Sequence, residues 1–187
     1  TYNSNAIEGN RLTLRDTFLI LKEKQIPSGA PPKDYNEAVN GREALDFVKS
    51  YKGEMTIEFI EKIKKILTKN TGVIYPGRVR FFPVKIEGTD FNPPPPEKVK
   101  HLLAKMIDFY NDNKRKLHPF VLACLIHSQF VEIHPFEDGN GRTGRTLMNW
   151  VLMQADYPKI FIPVSLRSKY YESIDLHNLK KYKESCE

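Results

Sequence analysis

Apolar residues recur every three to four positions through most of the chain, which is the period of amphipathic helices. In the first such stretch they follow Thr13, and Thr13 together with Asp16 has the pattern of a capping box. The pattern predicts a helix over about 13–25, which a run rich in proline and glycine ends. Later apolar periods predict further helices over about 38–52, 56–67, 97–113, 119–133, 140–155 and 168–182.

The segment 72–96 breaks the helical pattern. It contains three glycines, alternating apolar positions on either side of Pro83, and four consecutive prolines at its end. These features predict a short β-hairpin or an extended flap, followed by a stiff entry into the next helix. The chain is therefore predicted to be all-α with one short β-hairpin.

Composition narrows the class of protein. The chain has 187 residues, of which 40% are hydrophobic and 28% charged, as in one soluble globular domain. Two cysteines, Cys124 and Cys186, do not make a disulfide framework, and no apolar stretch approaches the roughly 18 residues of a membrane span. The expectation is a cytoplasmic protein with no membrane association.

An excess of basic residues points to a phosphate-bearing partner. Lys and Arg outnumber Asp and Glu by 29 to 23, a formal net charge of +6. Lys62, Lys64 and Lys65 alternate with apolar residues, as on the solvated face of an amphipathic helix. Because no continuous Lys/Arg stripe is present, a nucleotide is favoured over nucleic acid.

The densest group of reactive residues is the run HPFEDGNGRTGR at 134–145, between two apolar helices. A Gly-rich turn that leads into a helix exposes backbone N–H groups at the positive end of the helix dipole, which suits phosphate. His134 can accept a proton, Asp138 can hold a divalent cation, and Arg142 and Arg145 can neutralise phosphate charge. A helix–helix turn with solvated charges is the competing interpretation. The pattern fits neither a Walker A loop nor a zinc site.

This run resembles the Fic family signature HPFx[DE]GNGRxxR at every specified position. The resemblance extends over most of residues 56–171 and implies a Fic-type helical bundle with a short β-hairpin flap over the active site. On that resemblance, 31–187 form the catalytic domain, with the flap at about 77–92, and 1–30 an N-terminal inhibitory region. The implied activity is that of a protein adenylyltransferase, which moves AMP from MgATP to a Ser, Thr or Tyr hydroxyl of a protein target.

The resemblance also implies a role for each residue of the loop. His134 deprotonates the target hydroxyl, Asp138 binds Mg²⁺, and Arg145 holds the γ-phosphate of ATP. The other residues implied to bind the nucleotide phosphates are Gly139, Asn140, Gly141 and Arg142. Phe136 anchors the loop in the core, and His127 is interpreted as structural. The flap is implied to pair with the main chain of the target through Val79, Arg80, Phe81, Phe82, Val84 and Ile86, in a register that Pro83 leaves open.

Near the start of the chain, Ser4 and Glu8 resemble the inhibitory motif [ST]xxxE[GN] of class II members of the family. A carboxylate beside Arg145 would occupy the group that receives the γ-phosphate. Glu8 also has an implied second role in positioning a water that removes AMP. An ordinary helix start is the competing interpretation of this segment.

Two functional alternatives stay open at the level of sequence. One is an enzyme that transfers another phosphate-containing group through the same loop, and the other is a non-catalytic module that senses a nucleotide. Among partners, the chain itself is a possible target, and a homo-oligomer is possible.

Overall fold

The computed structural model describes residues 1–86, 89 and 91–184, with side chains described as far as residue 175. Within these residues the structure is all-helical, as predicted. The α-helices are α1 (Tyr2–Ile7), α2 (Leu14–Phe18), α3 (Pro32–Ser50), α4 (Ile57–Leu67), α5 (Pro96–Asn113), α6 (Pro119–Ile133), α7 (Asn140–Gln154) and α8 (Arg167–Glu184). A π-helical turn, Leu19–Glu23, continues α2, and a 3₁₀ turn, Val164–Leu166, precedes α8.

The local signals in the sequence explain where several helices begin. Thr13 and Asp16 form the predicted capping box at the start of α2. Thr56 caps α4, where its hydroxyl accepts a hydrogen bond from the Phe59 amide at 3.1 Å. Pro32 lies in the first turn of α3, which therefore begins earlier than its apolar period predicts, because proline at this position is compatible with a helix.

The core is built around the antiparallel pair α6 and α7, on which α3, α4 and α5 pack. Gly144 allows this close approach, since a Cβ atom there would lie 3.2 Å from the Phe130 ring. Trp150 of α7 lies in an aromatic cluster with Phe59 of α4, at a centroid distance of 4.9 Å. The helix pair thus holds the two ends of the loop 134–139 rigidly.

The predicted β-hairpin is not confirmed. Residues 77–86, which belong to the part of the chain described, contain no β-strand, and residues 87, 88 and 90 of the predicted flap lie outside the described residues. The segment is held to the rest of the protein by Arg80 rather than by a strand partner: its amide donates to the Pro135 carbonyl at 2.9 Å. Proline at 83 removes one donor that a ladder would need. No helix in the described part of the chain could cross a bilayer.

Candidate active site

His134 lies at the end of α6, in the left-handed conformation, with φ 48° and ψ 58°. This conformation turns the chain out of the helix and is uncommon for a residue other than glycine. Arg80 stabilises it, because its Nε donates to the His134 carbonyl at 2.8 Å. The same guanidinium also donates to the carbonyls of Phe82 and Pro94. A buried arginine therefore connects the segment after α4 to the residue with the candidate catalytic side chain.

The His134 imidazole is held in the neutral form. Burial lowers its pKa to about 4 and the nearby Arg80 charge adds to this, although the Val131 main chain, Glu8 and Asp138 act in the opposite direction. Nδ1 is buried next to the Val131 main chain, so Nε2 is the nitrogen left to face a substrate. A neutral imidazole with one accessible nitrogen is in the protonation state that accepts a proton from a substrate.

The loop between α6 and α7 is pinned by Asn140 and Phe136. The Asn140 side chain exchanges two hydrogen bonds with the Phe136 main chain, at 2.9 and 2.8 Å, and the Phe136 ring is fully buried. Gly139 precedes α7 with φ 67°, and no described side chain caps the first turn. The amides of that turn are therefore directed toward the site of an anion. The Asn140 side chain itself is used to hold the turn.

Asp138 is the exposed carboxylate of the loop, with 48% of its side chain accessible. One carboxylate oxygen accepts a hydrogen bond from the Gly139 amide, and the other lies 3.7 Å from Arg142. No cluster of three or more His, Cys, Asp or Glu side chains occurs in the portion of the chain that the structure describes. A metal at Asp138 would therefore take its remaining ligands from a substrate and water.

Arg142 is buried and paired with Glu37 of α3. Its NH1 lies 2.8 Å from a Glu37 carboxylate oxygen, and both side chains are less than 10% exposed. The other oxygen of Glu37 accepts a hydrogen bond from the Asn10 amide at 2.8 Å. Arg142 is implied by the family resemblance to bind phosphate. In this conformation it is paired with the Glu37 carboxylate instead.

Arg145 is held by three residues from opposite ends of the chain. Its Nε and NH2 donate to the Ser4 hydroxyl and carbonyl at 3.0 and 2.9 Å, and NH2 lies 2.6 Å from Glu8 Oε1. Its NH1 donates to the Tyr170 hydroxyl at 3.0 Å. The Glu8 carboxylate also lies against Gly141, where any side chain would clash with it. The structure therefore brings Ser4 and Glu8 onto the loop, as the sequence predicted.

His127 supports Arg145 indirectly, through the hydroxyl of Tyr170. Its Nε2 lies 3.0 Å from the Tyr170 hydroxyl. That hydroxyl accepts a hydrogen bond from Arg145, and the tautomer of His127 decides which group donates in its contact with Tyr170. Burial lowers the His127 pKa to about 3, and the Arg145 charge adds to the shift. His127 thus has a structural role, in agreement with its interpretation from sequence.

Lys64 is the residue that sequence reasoning misplaced. Lys62 and Lys65 are exposed as predicted, but Lys64 is fully buried. Its amine points at the loop: a Cβ atom at Gly139 would lie 3.1 Å from Nζ. The predicted solvated face of α4 therefore excludes Lys64, because α7 and the loop cover that side of the helix.

Comparison with known proteins agrees with this geometry. Residues 54–152 match the Fic/DOC family. The chain belongs to that family. A protein adenylyltransferase Fic from Nematostella vectensis is 38% identical over 186 residues, covering 95% of this chain and 42% of that protein. One from Drosophila willistoni is 36% identical, covering 95% of this chain and 36% of that protein.

Solved Fic structures have the same fold. A Fic domain containing signaling protein from Bacteroides thetaiotaomicron superposes with a TM-score of 0.85 at 33% identity, covering 92% of this chain and 68% of that one. Fic-1 from C. elegans gives a TM-score of 0.86 at 31% identity, covering 96% of this chain and 54% of that one. The present chain spans well under half of the length of the curated relatives it matches.

The Fic loop thus collects the residues that the signature suggested, and the tertiary structure adds others. Glu37, Tyr170 and Lys64 contact the loop or its arginines, and Asn10 donates a hydrogen bond to Glu37. The local sequence does not mark these residues as part of a functional site, because each lies in a segment whose pattern is that of an ordinary helix or turn. Of the predicted flap, the side chains of Val79 and Arg80 are buried and Phe81 is 53% exposed.

Proposed function

We propose that this Fic-family chain transfers AMP from MgATP to a hydroxyl of a protein. The observation that carries the proposal is the neutral imidazole of His134 at the rim of an uncapped helix N-terminus with two arginines. That combination suits a nucleophilic hydroxyl attacking an anionic phosphorus. The names of the curated relatives, protein adenylyltransferases, support the same activity.

The proposed transfer needs a base for the hydroxyl proton and a leaving group on the α-phosphorus. His134 Nε2 takes the proton of the target hydroxyl as its oxygen forms a bond to the α-phosphorus. The bond between the α-phosphorus and the oxygen that bridges to the β-phosphorus breaks, and pyrophosphate leaves. The amides of the first turn of α7 stabilise the negative charge on the transferred group, and Arg145 holds the terminal phosphate.

Asp138 is the residue proposed to hold Mg²⁺. Mg²⁺ commonly keeps several waters and is bound through one or two carboxylates together with substrate phosphates, so a single exposed carboxylate at the mouth of the loop fits this need. When bound, the metal neutralises charge on the phosphates of ATP. The rigid turn positions Asp138 next to the amides that contact the same phosphates.

The segment 81–86 is the proposed binding site for an extended stretch of the target. Exposed and half-buried residues alternate along it, as in an extended chain. Within the part of the chain that is described, the main chain of residues 83–86 makes no backbone hydrogen bond. Its free donors and acceptors favour main-chain pairing with a peptide, in which Phe81 contributes apolar contact.

Glu8 is proposed to inhibit the enzyme. Its carboxylate lies 2.6 Å from Arg145 and against Gly141, so it competes for the charge and the space that the phosphates of ATP require. Because Glu8 is 27% exposed and Arg145 only 5%, the glutamate is the partner free to move away. Ser4 holds the arginine in place meanwhile.

The proposed activity is tested with two labels on one substrate. The Glu8→Gly protein, incubated with a cell extract and ATP labelled at the α- or the γ-phosphate, should attach only the α-label to protein. His134→Ala should abolish this labelling. His118→Ala is the matched control, because His118 starts the same His-Pro-Phe triplet yet is exposed at the start of α6. Attachment of the γ-label would assign phosphate transfer instead.

A further inference from the structure

Lys64 has a buried amine whose position needs an explanation. The residue is fully buried in α4, and its Nζ has no hydrogen-bond partner in the part of the chain described. No carboxylate oxygen within that part comes within ion-pair distance of it. The ring centroid of Phe136 lies 5.8 Å from Nζ. Because lysine is almost never fully buried without a partner, this arrangement is costly as it stands.

The amine lies directly behind the start of α7. A Cβ atom at residue 139 would be 3.1 Å from Nζ and 3.4 Å from Arg142 NH2, so the amine fills the space that the missing side chain of Gly139 leaves. The residue that begins α7 is therefore the one against which the amine packs. An ammonium there adds its charge to the positive end of the helix dipole.

The electrostatic surroundings leave the charge incompletely balanced. Burial lowers the pKa of Lys64 to about 7; Asp138 and Glu137 oppose this shift, whereas Arg142 adds to it. The two carboxylates thus compensate only part of the desolvation of the amine. A phosphate at the α7 N-terminus would supply the remaining negative charge.

We propose that Lys64 is an additional nucleotide-binding residue: a buried cation behind Gly139 that stabilises phosphate bound at the α7 N-terminus. The inference rests on the proposed nucleotide site and adds to it a cation from outside the signature loop. Lys64 acts through the field it creates across the glycine, so it favours anionic ligands of the loop in general. Its neighbours Lys62 and Lys65 on α4 face solvent and have no such role.

The test compares Lys64→Met with Lys62→Met, both in the full chain with Glu8→Gly so that the loop is accessible. Methionine preserves the length and apolar stem of the side chain, and both variants change the net charge equally. Isothermal titration with MgATP and with pyrophosphate should show roughly tenfold weaker binding for Lys64→Met, the scale of one charge whose effect on the ligand is largely screened. Lys62→Met should bind as the parent does.

Stability measurements distinguish a role of Lys64 in anion binding from a purely structural role. Removing an unpartnered buried amine should leave the midpoint of thermal unfolding unchanged or raise it, so affinity falls while stability does not. Loss of stability with unchanged affinity would make Lys64 a purely structural residue and overturn the proposal. Absence of anion binding by the parent would overturn it as well. A parent that binds MgATP but transfers no AMP would refute the proposed function and leave this comparison valid.

Discussion

Replacement of Glu8 by glycine tests the contact between the N-terminal helix and the loop. The variant removes one charge-assisted hydrogen bond, 2.6 Å long, from Arg145. Such bonds contribute about 1.5–3 kcal/mol, and partial exposure of Glu8 favours the lower half of this range. Since ATP must displace the carboxylate before it binds Arg145, relief should tighten MgATP binding by roughly tenfold to fortyfold.

The fold should tolerate this change. Arg145 keeps the Ser4 hydroxyl, the Ser4 carbonyl and the Tyr170 hydroxyl as partners, and residue 8 follows α1 with an ordinary negative φ of −89°. The melting temperature should therefore fall by only several degrees, as expected for a loss of about 1.5–2 kcal/mol in a domain of this size.

The assay combines titration calorimetry with MgATP and the initial rate of α-label transfer. Glu23→Gln is the matched control, because it removes one carboxylate from an exposed position of the same N-terminal region. Arg145→Ala should transfer poorly with or without Glu8, since the arginine is needed in both states. Glu8→Gly with the affinity and rate of the parent would refute inhibition by Glu8.

Three further outcomes follow from the buried polar contacts. Glu37→Gln should lower the free energy of unfolding by about 1–3 kcal/mol in urea, because Arg142 loses its 2.8 Å buried partner. Arg80→Met should lower the transfer rate at saturating ATP with little change in ATP affinity, since Arg80 holds the His134 carbonyl and no proposed phosphate ligand. His127→Gln should flatten the pH dependence of stability, measured by urea denaturation at several pH values. The His127 pKa is lowered to about 3 from 6.5, so between those values the unfolded state binds a proton that the folded state does not, and stability falls as pH falls.

The residues of the loop and the helices around it could be predicted from the sequence, because both depend on short-range features. Apolar period and capping residues determine where α2 and α4 begin. Gly139, with φ 67°, marks the turn that precedes α7. The family signature then assigned roles to His134 and Asp138. The proximity of Glu8 to Arg145 was also predictable, through resemblance to a known motif.

The flap was harder to predict, because alternating apolar residues are compatible with either a paired strand or an unpaired extended segment. The alternation at 79–86 indicated a hairpin, but a ladder requires a partner strand, and the described residues supply none. The side chain of Arg80 holds the segment in place instead, through hydrogen bonds to four carbonyls. A pattern of side chains does not determine where main-chain hydrogen bonds go.

The sequence by itself thus determined the helical class, the starts of α2 and α4, and the chemical content of the loop. Only the tertiary structure decided which polar side chains are buried against that loop. Lys64 reads as one of three solvated lysines of α4, and Glu37 as one charged residue of α3, until α7 covers them. The apolar period of a helix marks the face that its apolar side chains bury. It does not show which polar side chains are covered, because that depends on packing between segments far apart in the chain.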